Sequence, residues 1–151
     1  MKKFLVIFLC FLFIFFFLLV SGCNNDNIIL DFNYCNRYDK EMKELLSFEL
    51  RTNLEDGALV KLFIDGMDYH LKEILEVKEG KLKGNYYVPV GRTEVKVIFH
   101  TEIEGQPQWV IDKYGEQGEK IQGREKDEFP WRGYKVKTGT LTRIEAIFIL
   151  N

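Results

Sequence analysis

The two histidines are the residues best suited to metal or acid–base chemistry, and each has a carboxylate two positions away. His100 precedes Glu102, and Asp68 precedes His70. In a strand, residues two apart share a face, so each pair would place an imidazole beside a carboxylate, a ligand combination that suits zinc. The two pairs fall on separate predicted strands, where isolated histidines are usually packed or solvated. We therefore expect no metal site and no cofactor.

The sequence contains none of the common catalytic motifs. There is no H-E-x-x-H, no G-x-S-x-G and no glycine-rich phosphate loop. The carboxylates of residues 112–128 are interleaved with lysines and an arginine, as in a solvated loop. The sequence therefore predicts a protein that is not an enzyme.

Aromatic residues bracket a long polar segment, and these are the candidate binding residues. Residues 112–130 are charged, rich in glycine and almost free of aliphatic side chains, which predicts a long exposed loop. Aromatic faces beside polar loops are well suited to stacking on sugars or anchoring a protein partner. The alternative is that some of these rings face the core or only hold the loop in place. The candidate ligand-binding residues are Trp109, Tyr114, Phe129, Trp131 and Tyr134.

The amino-terminal residues have the pattern of an export signal. Two lysines precede an apolar run over residues 4–20, which is at the lower limit of the length that spans a bilayer. Val20-Ser21-Gly22-Cys23 follows, and this order resembles the lipobox of bacterial lipoproteins. The resemblance implies cleavage between Gly22 and Cys23 by signal peptidase II, with diacylglycerol attached to the Cys23 thiol. An uncleaved amino-terminal anchor is the alternative.

The implied lipid determines the predicted location. One acyl chain binds a membrane only marginally, whereas two or more anchor a protein stably. The resemblance implies two chains on a thioether glycerol, and often a third on the new amino terminus. We expect Cys23 to tether the protein to the cell membrane or the outer membrane, facing the periplasm or the cell exterior. Asn24 is not the aspartate that commonly marks inner-membrane retention, which favours the outer membrane where one exists.

The predicted mature chain, residues 23–151, has the length of a single domain. Its acidic residues exceed its basic residues by about four, which argues against nucleic acid or an anionic membrane surface as an electrostatic partner. Cys10 would leave with the signal and Cys23 would carry the lipid, so Cys35 would remain without an intramolecular disulfide partner. We expect Cys35 to be an inert thiol, because no neighbouring residue in the sequence would lower its pKa.

Most of the mature sequence alternates apolar and polar residues, the pattern of half-buried strands. The alternation is clearest around Val60, Val97 and Ala146, and turn signals such as Asp65-Gly66 separate the runs. A short helix from Tyr38 to Leu46 is an alternative for the first strand. The predicted strands are residues 46–53, 58–64, 68–77, 84–90, 93–103, 107–112, 133–138 and 141–150.

Short strands with turns every 8–12 residues predict an all-β domain, a single antiparallel β-sandwich of immunoglobulin-like type. A small up-and-down β-barrel is the alternative. The predicted organisation is a signal peptide (1–22), a lipidated cysteine with an Asn-rich tether (23–37) and the sandwich domain (38–151). The predicted function is non-catalytic binding of a protein, a glycan or another envelope component. The alternatives are a carrier of a small apolar ligand and a structural subunit of the envelope.

Overall fold

Strands dominate the part of the chain that this computed structural model describes, residues 27–40 and 43–151. A helix, α1 (Gln108–Tyr114), and a 3-10 turn (Pro130–Arg132) lie between the sixth and seventh strands. The strands are β1 (Leu30–Lys40), β2 (Lys43–Thr52), β3 (Leu59–Asp65), β4 (His70–Glu76), β5 (Lys81–Pro89), β6 (Thr93–Phe99), β7 (Tyr134–Thr138) and β8 (Leu141–Leu150). They form two antiparallel sheets, a three-stranded one in the order β1-β2-β5 and a five-stranded one in the order β4-β3-β6-β8-β7.

The two sheets bury one face each against a common core. In β6, every second residue (Thr93, Val95, Val97 and Phe99) is buried, and the residues between them are half-buried. This alternation follows from the two-residue side-chain period of a strand. Phe32 of β1 contacts Phe148 of β8 at a ring-centroid distance of 5.7 Å, which joins the two layers.

The predicted all-β sandwich is confirmed. The described strands form two separate sheets and not one closed sheet, so the alternative of an up-and-down barrel is wrong. The connections β2–β3, β4–β5 and β5–β6 cross from one sheet to the other, as Greek-key connections do in sandwiches. The immunoglobulin-like type stays a prediction.

Strand β1 lies where the sequence predicted part of a tether. Leu30 and Phe32 are buried, and the strand pairs with β2 from Leu30↔Thr52 onwards. The tether prediction is therefore wrong for residues 30–37, because burial of the alternate apolar side chains outweighs the turn preference of asparagine. Tyr38 and Leu46 belong to strands and not to a helix, while residues 41 and 42 lie outside the described residues.

The predicted strand over residues 107–112 is wrong, because residues 108–112 belong to α1. Val110 and Tyr114, four positions apart, are the buried residues of this helix and lie on one helical face. Gly115 ends the helix at φ 88°, and its amide donates to the Ile111 carbonyl at 2.8 Å. A run as short as Trp109-Val110-Ile111 therefore follows its tertiary contacts more than its strand propensity.

The β6–β7 connection, residues 100–133, closes one side of the sandwich. Its Gln122 carbonyl accepts a hydrogen bond from the Ile28 amide, and its Arg124 carbonyl accepts one from the Lys135 amide, both at 2.8 Å. Ile121, next to Gln122 in the chain, is buried in the core. The prediction of a wholly exposed loop over 112–130 is therefore wrong here, because this segment covers the space between β1 and β7.

The predicted signal peptide, the cleavage site between Gly22 and Cys23, and the lipidated Cys23 lie outside the described residues. Among the residues that are described, no helix has the length and apolar character needed to cross a membrane.

Candidate ligand-binding site

The structure separates the five candidate aromatic residues into two groups. Tyr114 is buried against Phe99, with ring centroids 5.4 Å apart. Tyr134 is also buried, and Trp109 is half-buried against the core. Only Phe129 and Trp131 are exposed, so they alone are available to a ligand.

Phe129 and Trp131 form an edge-to-face pair with ring centroids 5.0 Å apart. The 3-10 turn positions them, with Pro130 at its first residue and the Arg132 amide donating to the Phe129 carbonyl at 3.0 Å. The Phe129 amide donates to Asp127 Oδ1 at 2.8 Å. These bonds orient both rings before any ligand arrives.

The turn lies directly against the beginning of β1. Gly133 has a φ of 69°, and a Cβ atom placed there would lie 2.9 Å from the Leu30 carbonyl oxygen. Only glycine combines this conformation with so close an approach of two backbones. Gly133 therefore allows Trp131 to sit beside β1.

A groove of about 460 Å³ lies between this turn and the adjoining ends of β1 and β2. Its lining is mostly polar, with three apolar side chains among nine residues, so it is more polar than a usual small-molecule pocket and suits a charged or polar ligand. The apolar lining residues are Ile29, Phe32 and Trp131, and the polar ones are Asp31, Asn33, Arg51, Thr52, Asn53 and Arg132.

One asparagine holds the wall of the groove together. Asn53 Oδ1 accepts a hydrogen bond from the Ile29 amide at 2.8 Å, and Asn53 Nδ2 donates to the Asn27 carbonyl at 2.9 Å. The side chain thus takes the place of a further strand pairing beyond Leu30, and it fixes the entry of the chain into β1.

The charges of the groove are unevenly compensated. Arg124 Nη1 lies 3.9 Å from Asp31 Oδ1. Burial raises the pKa of the Asp31 carboxyl, and the nearby Arg124 and Arg132 guanidinium groups oppose that rise. Within residues 27–40 and 43–151, the guanidinium groups of Arg51 and Arg132 form no ion pair and donate no hydrogen bond. Their donors are therefore available to an oxyanion, although Arg132 also interacts electrostatically with the Asp31 carboxyl.

The histidines and the cysteine lie elsewhere. His70 is exposed and its Nδ1 lies 2.9 Å from Asp65 Oδ1. Lys61 Nζ donates to His100 Nε2 at 3.1 Å. Burial and the nearby Lys61 and Arg143 cations lower the pKa of His100 to about 4. No cluster of three or more His, Cys, Asp or Glu side chains suited to a metal ion occurs among the described residues.

Burial raises the pKa of the Cys35 thiol to about 11. A thiol at neutral pH is then almost entirely protonated, and the protonated form is a poor nucleophile. This is the behaviour expected of an unreactive cysteine.

Sequence reasoning found the aromatic side of the groove and missed its polar side. The Pro130-Trp131-Arg132-Gly133 sequence carries turn signals that point to Arg132 as well as Trp131. Arg51 and Asn53 could be assigned only after β1 was known to pair with the end of β2. The pairing of Asp31 with Arg51 brings these groups together.

These features define the class of the protein: a small all-β sandwich with a mixed apolar and polar groove at one edge. Comparison of the chain with protein-family models, with characterised proteins and with solved structures found no match. The case for this site therefore rests on the chemistry and geometry of this chain.

Proposed function

We propose that this protein is a non-catalytic envelope lipoprotein. A lipid on Cys23 holds it at a membrane, and the sandwich domain binds another component of the envelope at the groove beside Trp131. The observation that carries the proposal is the exposed Phe129–Trp131 pair at a groove of about 460 Å³.

The geometry of the pair favours binding over a purely structural role. Single exposed apolar residues are ordinary, but two aromatic rings fixed in contact beside unpaired arginines are not accounted for by folding alone. Tryptophan and arginine are also enriched among the residues that dominate binding energies. The hydrogen bonds of the 3-10 turn hold the site in place, which reduces the entropy lost on binding.

The test compares Trp131, in the 3-10 turn beside β1, with Tyr87, an exposed aromatic residue of β5 away from the groove. The full chain in detergent micelles is presented to a glycan panel and to solubilised envelope material from the source cell, as wild type, Trp131→Ala and Tyr87→Ala. Tyr87 is 57% exposed and does not line the groove. A component captured by the wild type and by Tyr87→Ala, but lost in Trp131→Ala, supports the proposal. Equal capture by all three chains contradicts it.

The anchor is tested separately on the same material. The mass of the amino-terminal peptide of the purified protein is expected to show Cys23 as the first residue, carrying diacylglycerol. An unmodified Cys23 would contradict the lipoprotein part of the proposal. It would leave open a structural role in the envelope through the sheet edges.

A further inference from the structure

The groove and the proposed lipid anchor are joined by a very short stretch of chain. Asn53 lines the groove and bonds directly to the Asn27 carbonyl. Asn27 is the fourth residue after Cys23. A chain spans at most about 3.6 Å per residue, so Cys23 lies within about 14 Å of Asn27 in any conformation. The headgroup region of a bilayer is roughly 5–8 Å thick on each side. A lipid on Cys23 therefore holds the groove at the membrane surface.

Three exposed apolar side chains lie at this end of the molecule, while others, Met67 and Val90 among them, lie away from the groove. Ile29 is 43% exposed, Phe129 41% and Trp131 38%. Aromatic side chains, tryptophan above all, favour the level of the lipid headgroups, where the ring is partly in an apolar environment. Ile29 and Trp131 line the groove and Phe129 contacts Trp131, a location that fits a membrane-contacting surface.

The arginines of the groove supply the polar part of such a contact. Neither Arg51 nor Arg132 forms an ion pair among residues 27–40 and 43–151, although Arg132 interacts electrostatically with Asp31, whose ion pair is with Arg124. A guanidinium group presents parallel donors that match two oxygens of a phosphate. The mildly acidic net charge of the mature chain argued against an anionic surface as partner. At physiological salt, however, charges act over only about 8 Å, so the local arginines, and not the net charge, determine the attraction to a phosphate.

From these observations we infer that the edge of the sandwich carrying the groove lies on the phospholipid surface to which Cys23 is anchored. The Phe129 and Trp131 rings lie among the headgroups, and the Arg51 and Arg132 guanidinium groups bind lipid phosphates. The inference rests on the proposed function, because it requires the lipid on Cys23. It identifies the component bound at the groove as the phospholipid headgroup.

The test places a fluorescent reporter at each end of the molecule. The full chain is reconstituted into vesicles of phosphatidylethanolamine and phosphatidylglycerol with brominated acyl chains, which quench nearby indoles. Trp109→Phe leaves Trp131 as the single tryptophan of the two in the chain. The control carries Trp109→Phe, Trp131→Phe and Tyr87→Trp. Tyr87 pairs with Leu45, six residues along β2 from Arg51, so the control reporter lies about 20 Å from the groove.

The expected result is a clear difference between the two reporters. Trp131 loses about half or more of its emission in brominated vesicles, as for an indole at the interface, and the Tyr87→Trp reporter loses almost none. Arg51→Ala and Arg132→Ala each reduce the quenching of Trp131. Arg92→Ala, which removes an exposed arginine outside the groove, leaves it unchanged. Free glycerol phosphate at millimolar concentration leaves the quenching intact if the membrane is the source of the phosphate.

The opposite results separate failure of this inference from failure of the proposed function. Equal quenching of the two reporters, with diacylglycerol present on Cys23, overturns the inference and leaves the lipoprotein proposal intact. Trp131-dependent capture of a soluble glycan or protein, without quenching of Trp131, overturns the inference while supporting binding at the groove. An unmodified Cys23 overturns both. Thermal unfolding of each variant in micelles establishes that the chains compared are folded.

Discussion

At the β4–β5 edge of the sandwich the two sheets meet through their own side chains, whereas at the β1–β7 edge a further layer of chain lies between them. The Tyr86 hydroxyl of β5 donates to Glu73 Oε2 of β4 at 2.7 Å, which links the sheets directly. On the other side, residues 121–124 of the β6–β7 connection bond both to Ile28 and to Lys135. The same pair of sheets is thus closed in two different ways.

The difference shows what the long connection contributes. A short hairpin from β6 to a neighbouring strand such as β8 would complete the sheet, but it would leave the start of β1 uncovered. The connection adds a buried Ile121 and brings the Trp131 turn against β1, and these contacts produce the groove. The β1–β7 edge therefore carries the candidate site, and the β4–β5 edge shows how the fold closes without one.

The largest expected effect tests whether β1 belongs to the folded domain or to a tether. Leu30 is fully buried in β1, and the adjacent Ile29 is 43% exposed. Leu30→Ala should lower the free energy of unfolding by about 3–4 kcal/mol, because it removes buried methyl groups and leaves a cavity. Ile29→Ala should change it by less than about 1 kcal/mol. Urea unfolding of the full chain in micelles measures both changes. Equal, small effects would mean that β1 is a tether and not part of the folded domain.

The next effect compares two histidines: His100, which follows the central strand β6, and His70 on the edge strand β4. Burial, Lys61 on β3 and Arg143 on β8 lower the pKa of His100 to about 4, from an ordinary value of 6.5. The unfolded chain then binds a proton at His100 more readily than the folded chain does. The contribution of His100 to the free energy of unfolding is therefore fully present above pH 6.5 and is lost as the pH falls towards 4. Between pH 7.5 and 4.5 the loss from this residue should be about 2–3 kcal/mol.

His100→Gln should remove that part of the pH dependence of the unfolding free energy. His70→Gln, at the exposed histidine of β4, is the matched control and should keep it. Urea unfolding at the two pH values gives the difference for each chain. Wild type and His100→Gln with the same slope against pH would show that His100 is solvated in solution.

The sequence predicted the strands of the five-stranded sheet better than it predicted β1. Runs such as Val95-Lys96-Val97 report burial on one face directly, so β3, β6 and β8 were predictable to within a few residues. In β1, Asp31, Asn33 and Asn36 resemble a polar linker, because the outer face of an edge strand is solvated. Only the burial of Leu30 and Phe32, which depends on the opposite sheet, distinguishes it from a tether.

The candidate site was also only partly predictable from the sequence. Phe129 and Trp131 flank a proline in a polar segment, and that local pattern pointed to an exposed turn. Trp109 and Tyr114, also aromatic and nearby in sequence, pack against the core, and Tyr134 is buried beside Glu145 and Lys126. The burial of these side chains depends on α1 and on the pairing of β7 with β8, which no local sequence pattern encodes.

A smaller effect concerns the close contact that places the turn against β1. Gly133 and Gly139 have φ values of 69° and 62°, but only Gly133 has a neighbouring backbone within reach of a Cβ atom. Gly139→Ala should cost about 1 kcal/mol for the backbone conformation alone. Gly133→Ala should cost about 2 kcal/mol in all, because the turn must also move away from Leu30. Equal losses in urea unfolding would mean that the turn is not held against β1.

The smallest expected effect is at the β4–β5 edge, where a side-chain hydrogen bond near solvent accompanies the packing of an aromatic ring. Tyr86→Phe removes the bond to Glu73 and keeps the ring, which stacks on Phe48 at a centroid distance of 6.2 Å. The loss should be about 0.5–1 kcal/mol, because the exposed Glu73 carboxylate can be hydrated instead. Tyr87→Phe is the control, since the Tyr87 hydroxyl has no protein partner within the described chain. A loss of several kcal/mol at Tyr86, measured by urea unfolding, would mean that this edge is held by the hydrogen bond and not by the packing of the ring.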